Sequence, residues 1–81
     1  MRVTFRITKS KRSDYWNVIM EIGSSKNSFE KLGVYDKKAS AISMVKRFIK
    51  IVNDDVDVKA VVIDQDDPHN PLIYEKDDLL G

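Results

Sequence analysis

Two hydrophobic periodicities divide the chain into predicted strands and a predicted helix. Apolar and polar residues alternate over positions 2–8 and again over 15–22. Such alternation is typical of strands with one buried face. A third strand is predicted over 28–35, with Gly33 marking either a bulge or a close approach of the backbone. From residue 38 to 52 the apolar positions recur at spacings of one, three and four, which predicts an amphipathic helix.

Two shorter strands are predicted after the helix. The apolar run at 60–63 indicates a strand over 57–63, and a second one is expected over 72–74. The segment between them contains Pro68 and Pro71, which are excluded from a central strand and favour a turn. The two strands would therefore form a hairpin.

These elements predict one small domain of the α+β class. Residues 1–81 would form a small antiparallel sheet, in the order β-β-β-α-β-β, with one amphipathic helix packed on one face. Asp36 is expected to cap the helix, and Trp16 is expected in the core. The predicted segments are a three-stranded meander over 1–35, the helix over 38–52, an acidic hairpin over 57–74, and a frayed tail over 75–81 whose removal would leave the fold nearly intact.

Basic and acidic residues are concentrated in different halves of the chain. Residues 1–50 contain twelve Lys and Arg against four Asp and Glu, a net charge of +8. Residues 51–81 contain two against nine, a net charge of −7. Clustered like charges attract partners of opposite charge and raise association rates. The overall charge of +1 therefore hides two regions of opposite charge. This separation of charge indicates a binding protein.

The sheet face turned away from the helix is predicted to be basic. Basic and aromatic side chains interleaved on a small sheet can contact phosphates and stack on bases. The alternative is an ordinary solvated face, and for the helix stripe of Lys46, Arg47 and Lys50 the solvated interpretation is favoured. The candidate nucleic-acid-binding residues are Arg2, Arg6, Lys11, Arg12, Tyr15, Asn17 and Lys31.

A resemblance to known families extends over residues 15–52. It rests on the segments YWNVIM at 15–20 and LGVYD at 32–36, and on a helix that contains Ala41. These residues resemble the DNA-binding module of phage integrase N-termini and plant AP2 proteins, and also the small bacterial YegP-like family. The first resemblance implies a three-stranded sheet that docks into the major groove. The acidic strands over 57–74 have no counterpart there, and no base-reading residue is carried over.

The acidic half of the chain supports an alternative function. An acidic hairpin and tail can dock on a basic surface, as expected of a protein-binding regulator or inhibitor, such as a phage-encoded protein that acts on a host protein. A third hypothesis is that the acidic tail folds over the basic face and competes with nucleic acid. An unpaired edge strand would permit a monomer or a homodimer formed by edge-strand pairing. The residues of the protein-binding alternative are Asp66, Asp67, Tyr74, Asp77 and Asp78.

Catalytic, metal and membrane functions have little support in the sequence. The chain has no cysteine and a single histidine, which disfavours a zinc site. Asp64, Asp66 and Glu75 match three positions of a calcium loop, but Pro68 and His69 break that pattern. No phosphate-binding loop or nucleophile motif is present, so we expect a non-enzyme with no cofactor or metal. No apolar run approaches the ~18 residues of a membrane span, and a cytoplasmic location is expected.

Overall fold

The fold is an α+β arrangement, as the hydrophobic pattern predicts. The computed structural model describes residues 2–23, 29–52 and 54–80. The turn predicted after the second strand lies largely in residues 24–27, outside the described residues. The elements are β1 Arg2–Lys9, β2 Trp16–Ile22, β3 Phe29–Tyr35, α1 Lys38–Ile51, β4 Asp57–Asp64, β5 Leu72–Glu75 and α2 Lys76–Leu80.

The five strands form one mixed sheet in the order β3-β2-β1-β4-β5. Neighbouring strands pair antiparallel except β1 and β4, which pair parallel with Phe5 opposite Ala60. The prediction of an antiparallel sheet is therefore wrong at this pair. Alternation reports which face of a strand is buried, and it carries no information on strand direction. The consequence is that β4, from the acidic half of the chain, lies beside the central strand β1, from the basic half.

The core lies between one face of the sheet and α1. Phe5 of β1 is fully buried, and its ring meets that of Phe48 edge to face with centroids 5.0 Å apart. Trp16 is only partly buried and packs against this core, whereas Ile22, expected on the same face, is 40% exposed. The buried residues are Val3, Phe5, Ile7, Val18, Ala41, Val45, Ile49, Val56, Val58, Ala60, Val62 and Leu79.

A β-bulge interrupts the pairing of β2 with β3, as Gly33 predicts. Val18 lies opposite Gly33, but the next residue of β2, Ile19, lies opposite Lys31. Leu32 is the extra residue of β3 and is 37% exposed. A bulge bends an edge strand and locally increases its twist, so this edge of the sheet is a poor template for pairing with another strand.

The start of α1 differs from the predicted cap. The N-cap residue is Lys37, and its side chain makes no capping hydrogen bond. Asp36 lies one residue too early to cap, and the first turn contains no acidic residue. The first backbone N–H groups of a helix have no partner within the helix. This end of α1 therefore carries partial positive charge that no side chain of the helix offsets.

The C-terminal segment is a helix, so the prediction of a frayed tail is wrong for residues 76–80. α2 places Leu79 in the core at 3% exposure. Lys76 Nζ donates to the carbonyl oxygens of Asp54 and Val56 at 3.0 and 2.8 Å. Five residues are too few for a helical period to be visible in the sequence. Removing the segment after Tyr74 would expose part of the core and break these contacts.

Candidate functional site

The seven residues predicted to bind nucleic acid fall into two groups. The outer face of the sheet, opposite α1, holds the first group, because alternation continues across the strands: Arg6 lies opposite Ile19, and Ile19 lies opposite Lys31. The second group lies in the loop between β1 and β2, at one end of the sheet. The outer-face group is Arg2, Arg6, Asn17 and Lys31, and the loop group is Lys11, Arg12 and Tyr15.

Carboxylates neutralise the two arginines of the outer face. Arg6 Nε lies 2.6 Å from Glu21 Oε1, and Arg2 Nε lies 3.4 Å from Asp57 Oδ2. Exposed ion pairs contribute little to stability, but each places a negative charge where a phosphate would have to bind. Glu21 comes from β2 and Asp57 from β4, so the sheet itself supplies the neutralising charge.

The outer face is also more apolar than its basic residues suggest. Val61 and Ile73 continue the row that contains Ile19 and Arg6, since Val61 lies opposite both Arg6 and Ile73. Ile73 is 53% exposed. Arg6, at the centre of the row, thus lies between the aliphatic side chains of Ile19 and Val61. The face is therefore less uniformly basic than the sequence predicts.

The basic loop after β1 is tied to the acidic loop after β4. Lys9 Nζ lies 2.6 Å from Asp66 Oδ2 and 3.6 Å from Asp64 Oδ1. The backbone N–H of Arg12, at a left-handed φ of 59°, donates to Asp66 Oδ1 at 3.3 Å. The hydrogen bond from Lys9 is the main cause that lowers the pKa of Asp66, and the same bond raises the pKa of Lys9.

Most of the carboxylates predicted to dock a protein are engaged within the chain. Asp66 pairs with Lys9, Asp67 Oδ1 accepts from the side-chain amide of Asn70 at 2.9 Å, and Asp78 Oδ2 accepts from a backbone N–H at 3.0 Å. Tyr74 is partly buried against the core. Asp77 is exposed in the first turn of α2. The acidic docking set is therefore divided among a loop, a strand and a helix.

The outer surface of α1 retains its positive charge. α1 contains four basic residues and no acidic one. Lys46, Arg47 and Lys50 are exposed, and among the described residues no carboxylate oxygen lies within 4.0 Å of their charged nitrogens. The sequence shows this stripe, but only the fold shows that Arg2 and Arg6 of the sheet are paired with carboxylates and that, among the described residues, the stripe is not.

A cavity of about 300 Å³ opens at the end of the sheet where β1, β3 and β4 end and α1 begins. We refer to it as the end cavity. Trp16, Val62 and Leu72 form its apolar walls. The indole of Trp16 lies beyond the fully buried core, which explains why it is only partly buried.

Four polar side chains complete the lining of the end cavity: Lys38, Asp64, Asp67 and Asn70. Asp64 Oδ1 accepts from the backbone N–H of Asp66 at 2.9 Å, and Asn70 donates to Asp67. Each carboxylate keeps further acceptor capacity, since an ionised carboxylate has about four lone-pair sites. Sequence reasoning missed this cavity because its walls come from four separate elements and loops.

A second cavity, of about 290 Å³, lies between α1 and α2. Its walls are mainly apolar, with one cation and one carboxylate at the rim. It is lined by Ala39, Ile42, Ser43, Lys46, Tyr74, Asp78 and Leu79. Because α2 forms one wall, the groove exists only when the C-terminal segment is folded onto the core.

The placement of the acidic side chains and the lengths of the helices bear on metals and membranes. Within residues 2–23, 29–52 and 54–80, no group of three or more His, Asp or Glu side chains is placed to hold a metal ion. No helix in the same part of the chain combines the length and the apolar character needed to cross a membrane. Asp64 and Asp66, two residues of the broken calcium-loop pattern, are instead occupied by Lys9.

Comparisons with known proteins give no indication of function. No family model, curated protein or solved structure matches this chain. The resemblance of residues 15–52 to the integrase and AP2 module and to the YegP-like family accordingly stays a prediction.

Proposed function

We propose that this protein is a non-enzymatic nucleic-acid-binding module that contacts phosphates through the exposed basic surface of α1. The observation that carries the proposal is the contrast between α1 and the sheet. Lys46, Arg47 and Lys50 lack a carboxylate partner among the described residues, whereas Arg2 and Arg6 are paired. Phosphates dominate nucleic-acid affinity because each cation that contacts one releases counterions.

The arrangement of charge along α1 supports this proposal. Lys46 and Lys50 are four residues apart, and like charges at this spacing destabilise a helix by about 0.2–0.5 kcal/mol. A polyanion bound on this surface would remove that penalty. The fourteen residues of α1 extend over about 21 Å, the length of about six base steps at ~3.4 Å each. The helix can therefore follow several phosphates of one strand.

The N-terminal end of α1 adds to the same surface. Lys37 and Lys38 lie there beside backbone N–H groups that the side chain of the N-cap residue does not cap. Helix N-termini of this kind favour phosphate because the N–H groups and the helix dipole both attract negative charge. The proposed surface thus runs from Lys38 to Lys50.

A matched pair of double variants tests the proposal. Lys46→Gln with Lys50→Gln removes two charges from α1, and Arg2→Gln with Arg6→Gln removes two from the outer face. Affinity for a random oligonucleotide is measured against salt. We expect the α1 variant to lower the slope of log K against log salt by ~0.7 per residue on single strands or ~0.9 on duplex. The sheet variant should change it less.

Two results would contradict this function. An absence of binding at low salt would exclude phosphate recognition of any kind. A larger loss in the Arg2 and Arg6 variant would move the interface to the outer face of the sheet, where the sequence first predicted it. The alternative, a protein-binding regulator that docks through its acidic residues, has weaker support because Asp66, Asp67 and Asp78 bond within the chain.

A further inference from the structure

We propose that the end cavity binds one unpaired, amino-bearing base of a single-stranded nucleic acid, with guanine preferred. This inference rests on the proposed phosphate-binding function, since phosphates bound on α1 would bring a base of the same strand to the cavity. It also specifies the ligand: an unstacked base, which only a single strand, a loop or an end presents.

The apolar walls of the end cavity suit a flat ring. Trp16 and Leu72 line the cavity, and Trp16 is the only tryptophan of the chain. Unstacked bases are commonly bound against aromatic side chains because every base has a π-face. The volume of about 300 Å³ lies at the lower limit for small-molecule sites, which fits a single base better than a larger cofactor.

The polar lining favours bases that donate hydrogen bonds. Asp64 and Asp67 both line the cavity, and an ionised carboxylate can only accept. Guanine carries two adjacent donors on its Watson–Crick edge, N1–H and the N2 amino group, which match the two oxygens of one carboxylate. Thymine and uracil present one N–H between two carbonyl oxygens, so they offer a carboxylate only one donor where guanine offers two. The lining therefore selects against thymine and uracil.

The end cavity is continuous with the basic surface of α1. Lys38 lines the cavity and is also the first residue of α1. A phosphate next to the bound base would meet Lys38 and the uncapped N–H groups of the helix. Lys46 follows eight residues later, about 12 Å along the helix axis. One strand can thus place a base in the cavity and its following phosphates on α1.

Tryptophan fluorescence provides a direct test on the full chain. The probes are a short oligothymidylate, the same strand with one central guanine, and the same strand with hypoxanthine, which lacks the 2-amino group, at that position. We expect the guanine strand to bind at least about 5-fold more tightly than the all-thymine strand and to quench Trp16. Hypoxanthine should give an intermediate affinity. This ratio should persist as salt lowers all three affinities.

Two single substitutions separate base recognition from charge. Asp67→Asn and Asp77→Asn each remove one negative charge, but only Asp67 lines the end cavity. Both should raise affinity for the all-thymine strand by a similar factor, and only Asp67→Asn should abolish the preference for guanine. If the two variants show the same preference for guanine, Asp67 does not recognise the base and the proposal is wrong. Trp16 is left intact because it packs against the core.

The outcomes distinguish this inference from the proposed function. Equal binding of the three strands without quenching of Trp16 would overturn the base site and leave the phosphate surface standing. Quenching by guanosine monophosphate, with no oligonucleotide bound at any salt, would support the cavity and overturn the phosphate surface. No response to any probe would overturn both.

Discussion

Lys9 and Asp66 show how one contact changes the function that the sequence suggests. Lys9 extends the basic series of β1, and Asp66 belongs to the acidic set predicted to dock a protein. Their side chains meet at 2.6 Å, and the Lys9 side chain is only 16% exposed. Each residue therefore satisfies the other, and neither is available to a partner without breaking this pair.

The Lys9–Asp66 pair predicts a pH dependence of stability. The hydrogen bond from Lys9 lowers the pKa of Asp66 from its ordinary value of 3.8. The unfolded chain then binds more protons than the folded one between the lowered pKa and 3.8. The stabilisation from this carboxylate is present above that range and is lost as the pH falls through it.

Urea denaturation of the wild-type chain and of Asp66→Asn, followed over acid and neutral pH, measures this contribution. The variant should be less stable than wild type at neutral pH, and the difference should shrink as the pH falls below 3.8. Asp77→Asn serves as the control. A stability difference between wild type and Asp66→Asn that is constant with pH would contradict the assignment.

At the scale of elements, α2 is part of the folded unit although it has only five residues. Leu79 is 3% exposed, whereas its neighbour Leu80 is 55% exposed. Leu79→Ala should lower the free energy of unfolding by about 2–5 kcal/mol, measured by chemical denaturation. Leu80→Ala should change it by no more than about 0.5 kcal/mol. Equal effects would contradict the burial of Leu79, and a larger effect at Leu80 would mean that the helix presents its opposite face to the core.

The uncapped start of α1 offers a second prediction at this scale. Lys37 has φ −135° and ψ 141°, the extended conformation of a typical N-cap, but its side chain does not accept a hydrogen bond. Lys37→Ser supplies an acceptor for the N–H groups of the first turn and should stabilise the chain by about 0.5–1 kcal/mol. Thermal denaturation measures the gain.

The same substitution reports on function, because Lys37 adjoins the proposed phosphate surface. Affinity for oligonucleotides should fall while stability rises. Such opposite changes are expected where a residue is retained for binding at some expense of stability. If Lys37→Ser is more stable but binds oligonucleotides as tightly as wild type, the N-terminal end of α1 is not part of the interface.

At the scale of the whole molecule, the fold mixes charges that the sequence separates. β1 belongs to the basic half and β4 to the acidic half, and the sheet order places them side by side. Arg2 meets Asp57 and Lys9 meets Asp64 and Asp66 across this pair. Lys46, Arg47 and Lys50 have no carboxylate partner among the described residues, so their positive charge stays unpaired within one short stretch of α1.

The local elements and the class of the fold can be read from the amino-acid sequence alone. Alternation and helical spacing predicted every strand and α1 to within about two residues, because the period of apolar positions directly reflects which face of an element is buried. The position of the bulge followed from Gly33. The short helix α2 escaped detection because a five-residue segment is too short to show a period.

The charged surfaces and the end cavity, in contrast, depend on contacts between distant parts of the chain. β1 pairs with β4, Lys9 contacts Asp66, and Trp16 and Asn70 line one cavity. Each of these arrangements joins residues more than fifty positions apart in the chain. Local periodicity carries no information on such pairs, since it records burial along one element. Which cations stay unpaired, and which side chains share a cavity, depends on how the strands are ordered in the sheet.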